Sequence, residues 1–138
     1  MVIMVMDGQG GGIGSVIIKA LRAAVAEDVE ILALGTNSSA TSRMMKAGAN
    51  RGATGENAIV QMAPRANVIM GPLAILLAHA MMGEVTPRMA EAVNRSEARK
   101  VLIPLTQEKV NLVGITADPL PHLVEEGVKI VKEMIKQG

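Results

Sequence analysis

The pattern of apolar and polar positions changes period early in the chain, and that change predicts the first elements. Val2 to Met6 form a continuous apolar run closed by Asp7 and a glycine cluster, as expected of a strand buried on both faces. Ile13, Ile17, Leu21 and Ala24 then recur at helical spacing while Lys19 and Arg22 fall on another face, so residues 13–26 predict an amphipathic helix. Glu30 to Leu34 make a second apolar run, closed by Gly35-Thr36-Asn37. Strand, helix and strand in this order predict a βαβ unit with a right-handed crossover.

Further along, Asn37, Ser38 and Ser39 are suitable N-caps for a helix over 40–47, with Gly48 placed as its C′ residue. The stretch 48–57 is polar and glycine-rich and predicts a loop, followed by a short helix over 58–62 that stops before Pro64. Residues 67–70 predict the third strand. Gly71-Pro72 closes it, with Pro72 in the first turn of a helix through Met82. Thr86-Pro87 reads as N-cap and N1 of a helix to about Arg95, its apolar side built from Met89, Ala90 and Val93. Val101 to Ile103 and Leu112 to Ile115 predict two more strands. The connection over 104–111 is too short for a helical crossover, so an antiparallel edge hairpin is expected. Asp118-Pro119 or Pro121 opens the last helix, striped by Val124, Val128, Val131 and Ile135.

The pattern therefore predicts an α/β fold: a three-layer Rossmann-like sandwich with a mostly parallel sheet of about five strands, the first of them central, in one domain over 1–138. The length of 138 residues agrees with that. Fourteen Lys+Arg against thirteen Asp+Glu give a net charge of +1 with no basic stretch, so no nucleic-acid partner is expected. The chain has no Cys, Trp, Tyr or Phe, which removes thiol catalysis, thiolate metal sites and stacking on aromatic rings. Its eleven Met fill the space that Phe usually fills. No basic leader precedes the first strand, and the longest apolar window, 67–82, is broken by Gly71-Pro72. A cytoplasmic protein with no membrane partner is expected.

Candidate chemistry concentrates in the turn Gly8, Gln9, Gly10, Gly11, Gly12, Ile13 and Gly14. Five glycines in seven positions at the start of a helix suit a backbone that approaches a phosphate, whereas a bare strand-to-helix connection needs one or two. Thr36, Asn37 and Gly71 are expected to line the rest of the crevice. The expected partner is a small phosphorylated ligand.

Gly8, Gly12 and Gly14 stand at G-x-x-x-G-x-G spacing, which resembles the phosphate turn of short-chain dehydrogenases. That resemblance implies that Gly8 makes the tight turn, Gly12 admits a pyrophosphate and Gly14 lets the helix pack against the strand. The chain departs from the pattern in three ways. It has Gly35-Thr36-Asn37 where a ribose-binding acid is expected, it lacks the catalytic Tyr, and it carries Asp7 beside the turn. The first departure argues against common NAD recognition and leaves NADP, with Arg43 nearby, or another nucleotide as the cofactor. The second removes dehydrogenase chemistry. The whole chain is also similar to a family of short bacterial Rossmann-like proteins of unknown function. That likeness rests on residues 6–12, 33–37, 54–58 and 119–123 and implies no activity.

Asp7 reads as a turn-stabilising residue more readily than as a metal ligand, and no metal site is expected. Thr54-Gly55-Glu56-Asn57 reads either as part of the ligand crevice or as a helix cap made by Thr54. If the protein is an enzyme, which the sequence leaves undecided, Asp7, Glu56 and Asn57 are the catalytic candidates. His79 is expected in a buried or interface position on its helix, and His122 at a helix start is read similarly. The predicted helix over 73–82 is apolar all round, which points to a homodimer interface. The leading expectation is nucleotide or phosphometabolite binding at the turn. The alternative is a non-catalytic sensor or assembly subunit acting through that helix.

Overall fold

The computed structural model describes residues 1–105 and 108–138. Five strands, β1 (Val2–Asp7), β2 (Glu30–Gly35), β3 (Arg51–Thr54), β4 (Val68–Pro72) and β5 (Arg99–Ile103), form one sheet in the order β3-β2-β1-β4-β5. Every pairing is parallel, with Asp7 opposite Gly35 and Val5 opposite Met70. β1 is the central strand, as its apolar run predicts.

Both sides of the sheet are covered. Ile3 and Val5 point to one face, where α1 (Gly12–Ala24), α2 (Ser38–Lys46) and α5 (Leu120–Gln137) supply Ile17, Leu21, Met44, Val124 and Val131. Met4 and Met6 point to the other, packing with Ile59 of α3 (Glu56–Met62) and with Met89 and Val93 of α4 (Pro87–Arg95). Side chains alternate across a strand, so a continuous apolar run is what a sheet covered on both faces requires.

The caps behave as their residue types predict. Asn37 Oδ1 accepts from Ala40 N–H at 2.9 Å, Thr86 Oγ1 accepts from Met89 N–H at 3.2 Å, and Gly48 takes a φ of 123° after α2.

Several expectations are corrected. The edge hairpin is absent: β5 pairs parallel to β4, and residues 112–115 form no strand, with Gly114 in a turn at a φ of 86°. Part of the expected hairpin connection, residues 106 and 107, lies outside the described residues. After β5 the chain must reach α5, whose stripe covers Val101 and Ile103, and this return leaves 112–115 unpaired.

The polar loop 48–57 contains β3, an exposed edge strand that pairs through its backbone and has no apolar run to announce it. The helix expected over 73–82 is instead a short 3-10 turn, Leu73–Leu76, followed by tight turns in which His79, Met81 and Met82 have φ of 74°, 57° and 57°. One straight helix here would expose an apolar face. The turns bury Ala74, Ile75, Ala80, Met81 and Val85 against the sheet instead. The helix expected to carry a homodimer contact therefore does not form, and His79, expected buried or at an interface, lies exposed on a turn.

Thr54 is not a helix cap. Its hydroxyl bonds Thr41 Oγ1 at 2.7 Å, and Gly55 occupies the N-cap position of α3. Among the described residues no helix is long and apolar enough to cross a membrane.

Candidate functional site

The glycine turn joins β1 to α1 at the carboxyl edge of the sheet. Gly11 N–H donates to the Gly8 carbonyl at 2.9 Å, and the left-handed positions fall on Gln9, at 49°, and Gly11, at 73°. The sharp bend is thus carried by Gln9 and Gly11. Gly8 meets a different demand. A Cβ on it would stand 2.5 Å from Thr36 Oγ1, 2.6 Å from Met81 Sδ and 2.9 Å from Glu84 Oε1, so only a bare backbone fits. On Gly14 a Cβ would stand 2.5 Å from Met44 Sδ and 2.9 Å from Asp7 Cβ, consistent with close packing of α1 on β1.

Asp7 is buried at the end of β1 and is spent on the turn. Its Oδ1 accepts from Gly8 N–H and its Oδ2 from Gly14 N–H, both at 2.7 Å. Through Gly14 this carboxylate satisfies an amide in the first turn of α1 that has no partner inside the helix, and it sits at the helix's positive end. Burial nevertheless pushes its pKa above the ordinary value, and repulsion from Glu84 adds to the rise. The bonds from Gly14, Gly8 and Ile13 N–H pull the other way.

With Asp7 holding the inner amides, two others remain open. Among the described residues, the N–H groups of Gly10 and Gly12 have no partner. Arg43 of α2 stands beside both, its Nη1 weakly bonded to the Gly10 carbonyl at 3.4 Å and 3.6 Å from where a Gly12 Cβ would be. A cavity of about 360 Å³ opens here, lined by Asp7, Gly8, Gln9, Gly10, Gly12 and Ile13 on one side. Pro72, Ala74, Met81, Leu105 and Glu108 line the other. Its size falls at the lower end of small-molecule sites, which run from roughly 300 to 1,000 Å³.

A larger groove of about 600 Å³ between α1 and α5 is walled mainly by Val16, Ala20, Val124 and Val128 under a lysine rim. It lies away from the strand ends and lacks converging polar groups.

At the end of β2 the expected residues Thr36 and Asn37 do not line the cavity; they stand behind the turn at Gln9 and meet Glu84, which the sequence does not single out and which also lies outside the lining. Glu84 Oε1 accepts from Thr36 Oγ1 at 2.6 Å, Asn37 Nδ2 at 2.8 Å and Gln9 N–H at 2.8 Å. Burial opposes its charge, but these bonds from Thr36, Gln9 and Asn37 outweigh it and hold the carboxyl below the usual glutamate range. Asn37 is shared three ways, capping α2 through Oδ1 and donating through Nδ2 to Glu84 and to the Gln9 carbonyl at 2.9 Å.

Other expected site residues lie elsewhere. Gly71 is outside the cavity lining, and the space of its missing side chain is filled by the Met6 carbonyl, 2.3 Å from a Cβ there. Glu56 faces the start of α4, accepting from Thr86 Oγ1 at 2.6 Å and pairing with Arg88 at 3.5 Å. Asn57 is exposed on α3. Neither lines the cavity, and His122 is exposed at the start of α5. Among the described residues, no group of three or more His, Asp or Glu is placed to hold a metal ion.

Parallel strands in the order 3-2-1-4-5, covered on both faces and carrying a glycine turn after the central strand, define a doubly wound Rossmann-like protein. The chain belongs to the family described as DUF3842, a domain of unknown function, which matches residues 2–136. No curated protein matches the chain at a significant level. Among solved structures it is similar to apo histidine-tagged saccharopine dehydrogenase (L-Glu forming) from Saccharomyces cerevisiae, at 11% identity and a TM-score of 0.48. That alignment covers 91% of this chain and 24% of the dehydrogenase, so the chain spans about a quarter of that protein's length. It is also similar to a dodecameric FMN-dependent UbiX-like decarboxylase from Escherichia coli O157:H7, at 16% identity and a TM-score of 0.47, covering 96% of this chain and 75% of that one.

Proposed function

We propose that this protein binds a nucleotide or another phosphorylated metabolite at the turn 8–14, with a phosphate held by the Gly10 and Gly12 N–H groups and by Arg43. The observation that carries the reading is the position of the cavity. It lies between the carboxyl ends of β1 and β4, where the strand order reverses, the place at which open α/β sheets take their ligands.

Charge supports the same arrangement. The Asp7 carboxylate already occupies the inner amides of the turn, so an incoming phosphate is confined to the outer side, where Arg43 offsets its charge. NADP remains a candidate ligand alongside other nucleotides, and no reaction is assigned.

The test is thermal unfolding with NAD, NADP, ATP, S-adenosylmethionine and sugar phosphates, followed by calorimetric titration of whichever raises Tm. A ligand at a hundredfold its Kd stabilises the native state by about 2.7 kcal/mol. Gly12→Val should abolish the shift without unfolding the chain, because its Cβ would meet only Arg43 Nη1 at 3.6 Å. No shift with any ligand would overturn the reading.

A second reading, self-association, is favoured by the apolar side chains exposed after β5. Val113 is fully exposed and Ile115 is 53% exposed, beside Leu112 and Val110. Light scattering at rising concentration tests it, and a monomer at all concentrations would end it.

A further inference from the structure

We infer that Glu84, carried in from the loop after β4, is the residue that accepts hydrogen bonds from a ribose 2′,3′-diol, so that the ligand is a nucleotide with an unphosphorylated ribose. The inference rests on the phosphate reading above and narrows it.

Three donors from two parts of the chain converge on one oxygen of this carboxylate: Gln9 N–H of the turn, and Thr36 Oγ1 and Asn37 Nδ2 after β2. They saturate Oε1, and Oε2 takes no hydrogen bond among the described residues. No Lys or Arg pairs with Glu84 there, so the carboxylate is held by neutral donors and keeps its full charge. A fixed anion with one vacant oxygen is matched by a pair of hydroxyl donors and repels a phosphate. A cation shared with Asp7 is a poorer match, since both Asp7 oxygens already accept N–H bonds.

Position supports the assignment. In doubly wound folds the ribose lies at the end of the second strand, one step from the pyrophosphate on the turn. β2 ends in Gly35-Thr36-Asn37 and offers no acid, but Glu84 Oε1 lies against both Thr36 and Asn37. Arg43 stands on the Gly10–Gly12 side of the turn and Glu84 on the Gln9–Thr36 side, which separates a cationic phosphate end from an anionic ribose end. The turns through His79, Met81 and Met82 deliver the acid. His79 N–H donates to the Val85 carbonyl at 2.6 Å, and buried Met81 and Val85 flank Glu84 on the two sides.

The test is calorimetric titration of the wild type, Glu84→Gln and Gly12→Val with AMP, 2′-deoxy-AMP and adenosine 2′,5′-bisphosphate, repeated with NAD against NADP. Glu84→Gln keeps an amide oxygen for the three donors, and its Tm checks that the loop stays in place. Wild type should prefer AMP to each 2′-altered compound, and NAD to NADP, by about tenfold or more, the size of hydrogen bonds to a charged group. Glu84→Gln should erase both preferences while Gly12→Val weakens all ligands alike. Binding that Gly12→Val abolishes but whose preferences are unchanged in Glu84→Gln overturns this assignment and leaves the phosphate reading standing. No binding of any of them to wild type overturns both.

Discussion

Asp7 Oδ2 lies 2.7 Å from the Gly14 amide nitrogen, seven residues ahead, while Oδ1 receives Gly8 N–H at the same distance. One buried carboxylate thus closes the turn from both ends. Asp7→Asn preserves its shape but sets an NH2 against one of the two amides. We expect about 1–3 kcal/mol of destabilisation, the usual cost of a buried donor left without an acceptor. It should appear as a lower urea midpoint at unchanged m-value. A change within about 0.5 kcal/mol, the range of an ordinary surface substitution, would mean that the turn holds itself.

The two carboxylates of the site are coupled. Burial is the main force raising the Asp7 pKa, and Glu84 adds to it by repulsion, so Glu84→Gln should move the Asp7 midpoint down in a carbon-detected NMR titration. An unmoved midpoint would show that the charges do not sense each other.

Their effects on stability run in opposite directions. Asp7 titrates higher in the folded state, so as pH falls through that folded value the native state takes up its proton first and gains until about pH 3.9. Glu84 titrates lower when folded. Its contribution is complete above the unfolded value of about 4.3 and is lost as pH falls through the folded one. Glu84→Gln should therefore lose less stability than wild type on acidification below about pH 4.3.

Gly12 and Gly14, two residues apart, should respond differently to a methyl group. Gly14→Ala drives Cβ to 2.5 Å from Met44 Sδ and 2.9 Å from Asp7 Cβ. Overpacking of this kind costs about 1–3 kcal/mol. Gly12→Ala meets ordinary contact at 3.6 Å and should leave Tm nearly unchanged. Equal Tm values for the two variants would contradict the packing described at Gly14.

Ser96, where α4 gives way to β5, is buried. Its hydroxyl donates to the Ala63 carbonyl at 2.6 Å and accepts from Ala98 N–H at 3.1 Å. Ser96→Ala leaves both backbone groups unpaired in the interior and should cost about 1–3 kcal/mol in denaturant unfolding. A neutral result would require water to replace the hydroxyl.

The frame of this fold is legible in its sequence because frame and sequence obey the same local rules. Val2 to Met6 had to be a doubly covered strand, and Asn37 and Thr86 cap the helices that follow them. The site is less legible, because its decisive contacts are long-range. Glu84 is 75 residues from Gln9 and 48 from Thr36, and no motif spans that distance. Residues 73–82 look helical by composition, and only the need to bury Ala80, Met81 and Val85 bends them away from a helix. β3 escapes notice for the opposite reason: Arg51 to Thr54 are mostly exposed, and their pairing with β2 is a matter of backbone alone. Leu112 to Ile115 have the composition of a strand and no neighbour to pair with.

The parallel order of the sheet also sets a sequence of events during synthesis. β2 can join β1 as soon as α1 has formed, but the other edge of β1 waits for residues 68–72 to leave the ribosome. Until then the strand that carries Asp7 presents a row of unpaired amides and carbonyls, the kind of edge that invites pairing with another chain. Closure depends on Gly71, because the Met6 carbonyl occupies the place of any side chain there. A larger residue at that position would hold the nascent sheet open and expose it to aggregation before β4 can pair.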